Sequence, residues 1–160
     1  MRNRIPAARL RQLRTIPLFA GCGDTALAAG DRLVDDHDVP AGTVLTREGA
    51  FGRESFVIVS GTAEVTVRGQ RVAELGSGAV FGEMAVLQRE PRTATVTALT
   101  PMHLLVVSPA NLSALLLTEG VAGKVLVALS ERLRAADDAI TAQSAVLRPG
   151  ARRRTPLGVS

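Results

Sequence analysis

Between Val39 and Val107 the sequence breaks into short β-prone runs, each closed by a glycine or proline turn. Val44-Leu45-Thr46, Ser55 to Val59, Ala63 to Val67, Gln70 to Leu75, Ala79-Val80-Phe81, Ala94 to Leu99 and Met102 to Val107 are the runs. Turns fall at Pro40-Ala41-Gly42, Gly49 to Gly52, Ser60-Gly61, Arg68-Gly69 and Gly76-Ser77-Gly78. Ala63-Glu64-Val65-Thr66-Val67 alternates with period two and predicts a half-buried strand. Many short strands at this spacing predict an antiparallel barrel or jelly roll.

Helical patterning flanks this region. Ala7 to Leu13 predicts a helix inside an arginine-rich start. Asp24 or Thr25 can cap a second helix running toward Val34, with Gly30 weakening its middle. Ser108 as N-cap and Pro109 in the first turn predict a helix to Leu117. Glu119-Gly120 marks a break. A longer helix follows, with Val121, Val125, Leu129, Leu133, Ala136 and Ile140 on one face. The fold class predicted is therefore α+β, mainly β. A roll over about 38–107 carries an N-terminal helix, an inserted short helix and two C-terminal helices over about 108–147.

Charge divides the chain in the same places. The net charge of +4 hides two basic ends on an acidic middle. Residues 1–14 hold five arginines and no acid, and residues 148–160 hold four arginines and no acid. Residues 15–147 hold ten basic and fifteen acidic residues. The expected organisation is a basic arm (1–14), one folded domain (15–147) and a disordered basic tail (148–160).

Composition excludes several functions. With no Trp or Tyr and four Phe, stacking platforms for single-stranded nucleic acid are not expected. One cysteine excludes an intramolecular disulfide and a four-cysteine iron–sulfur cluster. Leu18 to Cys22 has the outline of a lipoprotein cleavage site, but Pro17 interrupts a short apolar stretch, so Cys22 is expected in a turn. No apolar run reaches the length of a membrane span, and the expected location is cytoplasmic.

The segment Phe81 to Val96 carries the chemistry. Gly82 opens a short helix reaching about Gln88, and Glu83 follows it. Nine residues after Glu83, Arg92 stands just past Pro91 and leads into a β run. Helix-start amides and an arginine can hold an anion. An ionised glutamate can accept a hydroxyl proton. A small anion that also carries hydroxyls suits both. The bland alternative is an ion pair between Glu83 and Arg92 in a plain loop.

Gly82-Glu83-Met84-Ala85 and Pro91-Arg92-Thr93-Ala94-Thr95-Val96 resemble, in register, the phosphate-binding cassette of cyclic nucleotide-binding domains, of the catabolite-activator and protein-kinase regulatory-subunit kind. Val39 to Leu45, Arg47-Glu48-Gly49 and Phe56 to Val65 resemble the framework of the same roll. The resemblance covers about residues 15 to 136. It implies that Glu83 holds the ribose 2′-hydroxyl. It implies that Arg92 and the first helix amides hold the cyclic phosphate; Met84 and Ala85 would offer those amides, and Gly82 allows close backbone approach. Thr93 can add a hydroxyl, and Ala94 lies beside it. Phe81 and Val96 are candidates to line the pocket, with strand core as their alternative. Arg132 is the candidate to cover the base, with a solvated helix face as its alternative. The ligand implied is cyclic AMP in preference to cyclic GMP, although Thr93 alone does not decide the base. No cofactor and no metal are expected.

Three other functions suit the sequence less well. A DNA-reading regulator needs a helix-turn-helix, and the residues after Ile140 are basic and irregular, so sequence-specific DNA binding is not expected. The basic ends could still contact nucleic acid or acidic membrane through charge. A cupin-type enzyme needs clustered metal ligands, whereas His37 and His103 lack ligand spacing, so no catalytic residues are assigned. An interaction module with a degenerate pocket is the third. The expected role is a sensor without its own output domain, acting through a protein partner or a homodimer along the last helix. Closure of the cassette on phosphate and repacking of Ser108 to Ile140 would shift the population between two arrangements.

Overall fold

Eight antiparallel strands form two four-stranded sheets in the computed structural model, which describes residues 5–146. The first sheet has the order β1 (Asp35–Val39), β8 (Met102–Val107), β3 (Ser55–Ser60), β6 (Val80–Phe81). The second has the order β2 (Val44–Thr46), β7 (Thr95–Ala98), β4 (Ala63–Val67), β5 (Gln70–Leu75). Their apolar faces meet in one core. Phe56 and Ile58 of β3, Phe81 of β6, and Met102 and Leu104 of β8 pack with Ala63 of β4 and Val96 and Ala98 of β7. This is the α+β jelly roll that the strand spacing predicts.

The roll begins earlier than expected. Asp35-Asp36-His37-Asp38 has no apolar alternation, yet it pairs residue for residue with β8, from Asp35 opposite Val106 to Val39 opposite Met102. An edge strand needs only a backbone partner on one side. Its charged side chains face water and blunt the open edge.

Five helices complete the described chain: α1 (Ala7–Thr15), α2 (Asp24–Asp31), α3 (Glu83–Gln88), α4 (Pro109–Leu116) and α5 (Val121–Val146). The helix α2 is shorter than expected, and its N-cap is Gly23 rather than Asp24 or Thr25. Gly30 stays in it because a Cβ there would lie 2.8 Å from Cε1 of Phe19. The start of α4 follows the expectation, since the Ser108 side chain accepts from Asn111 N and Pro109 occupies the first turn.

Contacts divide the chain into one unit through Ala128 and a second from Leu129 onward. In the first, α1 is packed rather than loose: Leu13 is fully buried, and Arg9 pairs with Asp31 and Asp36. Cys22 is buried, with Sγ 3.5 Å from the Glu119 carbonyl oxygen. Val121 and Val125, the start of the predicted stripe, are buried as well. The second unit is the continuation of α5, where Leu133 and Ile140 are exposed. The tail expected over 148–160 lies outside the described residues.

The Arg9 contact carries a pH prediction. Burial pushes the Asp36 carboxyl up, but the hydrogen bonds and charges of Arg9 and then His103 outweigh it and hold Asp36 below its ordinary value. The native state then binds fewer protons than the unfolded chain in that window. Stability is present above about pH 4, the ordinary aspartate range, and falls as pH drops through the native value. Urea unfolding from neutral pH down to about pH 3 should show this fall, and Asp36→Asn should flatten it. An unchanged pH slope in that variant would disprove the assignment.

Candidate functional site

Apart from Arg132, the residues expected to bind lie between Phe81 at the end of β6 and Val96 in β7, with α3 among them. Phe81, the last residue of β6, stacks on Phe56 with ring centroids 4.9 Å apart and planes 15° apart. The next residue, Gly82, turns the chain from strand into helix at φ 81°, a left-handed conformation that other residues rarely adopt. The helix then lasts one and a half turns. It ends at Arg89, also left-handed at φ 57°, which closes the last turn with its N–H to Ala85 O.

This short helix buries Glu83 and Ala85 and exposes Met84 and Leu87. Glu83 is 2% exposed, although carboxylates are seldom so buried. Its position in the first helical turn favours a negative charge there.

Arg92 is 6% exposed. Its Nη1 donates to Gly82 O at 2.8 Å and its Nη2 to Glu54 O at 2.6 Å. Its backbone is tied as well: Arg92 N donates to Ala50 O, and Gly49 N donates to Arg92 O, both at 2.8 Å. The guanidinium thus clamps the start of α3 to the loop between β2 and β3. Burial pulls its pKa down, opposed by the charges of Glu54 and then Glu83. A guanidinium remains charged at neutral pH under such a shift. One buried cation and one buried carboxylate therefore meet where the chain leaves β6, within electrostatic reach of each other.

Thr93 is exposed and Ala94 half-buried just past Arg92. Phe81 and Val96 both lie in the core between the sheets. Arg132 stands on α5 in the second unit. A cavity of about 520 Å³ adjoins the cassette, bordered by Phe51, Gly52, Ala85, Val86 and Pro109. Of the residues assigned to binding, only Ala85 borders it.

Sequence reasoning missed the contribution of residues 49–54. Their part is played by backbone carbonyls and amides, which leave no side-chain signature. The Gly49-to-Gly52 turn was the one available signal.

His103 lies between Asp38 and Asp36, with ring nitrogens 2.7 and 2.8 Å from their carboxylates. No group of three or more His, Cys, Asp or Glu placed to hold a metal occurs among the described residues. No single described helix is long and apolar enough to cross a membrane.

A two-sheet roll interrupted by a one-and-a-half-turn helix, with a buried glutamate and a buried arginine at its mouth, defines a class of small-molecule-binding regulatory domains. The comparisons narrow the class. The model of the cyclic nucleotide-binding domain matches residues 36–119, and the chain belongs to that family. A cyclic nucleotide-gated potassium channel of Rhizobium etli is 43% identical over 90 residues, covering 56% of this chain and 25% of the channel. The chain thus spans about a quarter of the length of such curated relatives. Among solved structures, the catabolite activator protein of Thermus thermophilus aligns with a TM-score of 0.69 at 28% identity, covering 80% of this chain and 63% of the activator. A cAMP-binding acyltransferase of Mycobacterium smegmatis aligns at 0.70 and 26% identity, covering 80% of this chain and 41% of the enzyme.

Proposed function

We propose that this chain is a sensor that binds a cyclic nucleotide, cyclic AMP in preference to cyclic GMP, and performs no catalysis itself. The observation that carries it is that buried Arg92, bonded to the Gly82 carbonyl at the start of α3, lies within electrostatic reach of buried Glu83, inside the matched residues. Arg92 would meet the cyclic phosphate together with the amides of Met84 and Ala85, Gly82 would allow the backbone to approach it closely, and Thr93 and Ala94 would border it. Glu83 would accept the ribose 2′-hydroxyl. Phe81 and Val96 would line the pocket from the core. The R. etli relative is a cyclic nucleotide-gated channel and the M. smegmatis neighbour binds cAMP, which supports the ligand class. Binding would be felt through a protein partner or a second copy along α5, in the cytoplasm and without sequence-specific DNA contact.

Calorimetric titration with cyclic AMP and cyclic GMP tests this, and no binding of either at millimolar ligand overturns it. The role of Glu83 has a sharper test. Wild type should prefer cyclic AMP over its 2′-deoxy analogue by about tenfold, the worth of one hydrogen bond to a charged acceptor. Glu83→Gln should bring that ratio toward one.

One observation favours a second reading, a ligand-independent interaction module. Arg92 is already buried and bonded to two backbone carbonyls. The same titration separates the two.

A further inference from the structure

Gly52 lies well before the cassette in sequence and against it in space. Its φ is outside the left-handed region, so its backbone does not call for glycine. The space beside it does. A Cβ on Gly52 would lie 2.1 Å from Nε, 2.3 Å from Nη2 and 2.5 Å from Cζ of Arg92. Real Cβ contacts are never that short, so the guanidinium occupies the volume any other side chain would need. Gly82 closes the other side, where a Cβ would lie 2.6 Å from Nη1 of Arg92. Gly82 also has a positive φ, so its glycine answers two demands, whereas Gly52 answers one.

We propose that Gly52 is a positioning residue for the phosphate of the nucleotide, acting through Arg92. This rests on the function proposed above. The two glycines and the carbonyls of Glu54 and Gly82 hold the guanidinium plane in one orientation before any ligand arrives. Two of the five guanidinium N–H donors are committed to those carbonyls. An oxyanion would take its donors from among the remaining three. A guanidinium already held in place loses less freedom on binding than one that must be ordered. The loop 49–54 is therefore part of the anion site through its backbone and the space beside Gly52.

The clash at position 52 falls on the end of a flexible side chain. Gly52→Ala should therefore fold, with Arg92 pushed off its carbonyls. In calorimetry it should bind cyclic AMP about tenfold or more weakly, the scale of a lost charged hydrogen bond. Coupling through Arg92 is tested by a double-mutant cycle. An alanine at position 92 has none of the atoms the new Cβ would meet, so Gly52→Ala should cost no more than about twofold in an Arg92→Ala protein. The Arg92 Nη–H resonances, which carry the two bonds to carbonyls, should be protected in wild type without nucleotide and exchange freely in Gly52→Ala, read by NMR.

Wild type that binds while Gly52→Ala binds equally well overturns this inference alone. So does an equal loss in both Arg92 backgrounds. Wild type that binds neither nucleotide overturns the proposed function, and the NMR signal then still decides whether Gly52 seats Arg92. Should Gly52→Ala alone fail to fold, recovery of folding in the double variant supports the clash, and failure of both overturns it.

Discussion

Arg92→Ala is expected to bind cyclic AMP at least about tenfold more weakly than wild type, because a net charged hydrogen bond is worth about 1.5–3 kcal/mol. The loss should exceed that if both phosphate oxygens are gripped by the planar fork. Stability should fall with affinity. The Glu54 and Gly82 carbonyls lose the donors at 2.6 and 2.8 Å, and the loop is no longer clamped to α3. Unsatisfied buried groups cost about 1–3 kcal/mol each, less where water can reach them. Calorimetric titration checks the first effect and thermal unfolding the second. Affinity equal to wild type would dispose of the site assignment. An unchanged melting temperature would dispose of the clamp.

Phe81→Ala should destabilise the domain by about 3–5 kcal/mol, as truncating a buried phenylalanine leaves a cavity that the sheets fill only partly. The stacked contact with Phe56 adds to the loss. Domains of this kind have about 5–15 kcal/mol in total, so the variant would stand near the limit of folding. Denaturant unfolding reads the difference directly. A loss below about 1 kcal/mol would show that β6 does not anchor the cassette through this ring. Gly82, the left-handed N-cap of α3, follows Phe81 directly.

Much of the roll is visible in its local chemistry. Ala63 to Val67 alternates because one face of β4 meets the core, and Gln70 to Leu75 follows after the turn at Arg68-Gly69. Ser108 and Pro109 mark the start of α4 because a cap and a first-turn proline act within four residues. Where stability comes from a distant partner, the signal disappears. Asp35 to Val39 carries four polar residues, and only its pairing with β8 makes it a strand. Arg9 looks like part of a loose basic arm until Asp31 and Asp36 receive it.

The cassette divides along the same line. Its residue types and spacing, with glycine, glutamate, proline and arginine in register, point to the family from the sequence alone, and the family model matches there. Those groups are side chains and special backbone positions, which the letters state directly. The partners of Arg92 are of another kind. The carbonyls of Glu54 and Gly82 and the empty side of Gly52 become neighbours only when the β2–β3 loop folds against α3. Every residue has a carbonyl, so no letter announces which two will hold a guanidinium. That choice belongs to the packing of distant strands, and tertiary structure alone makes it.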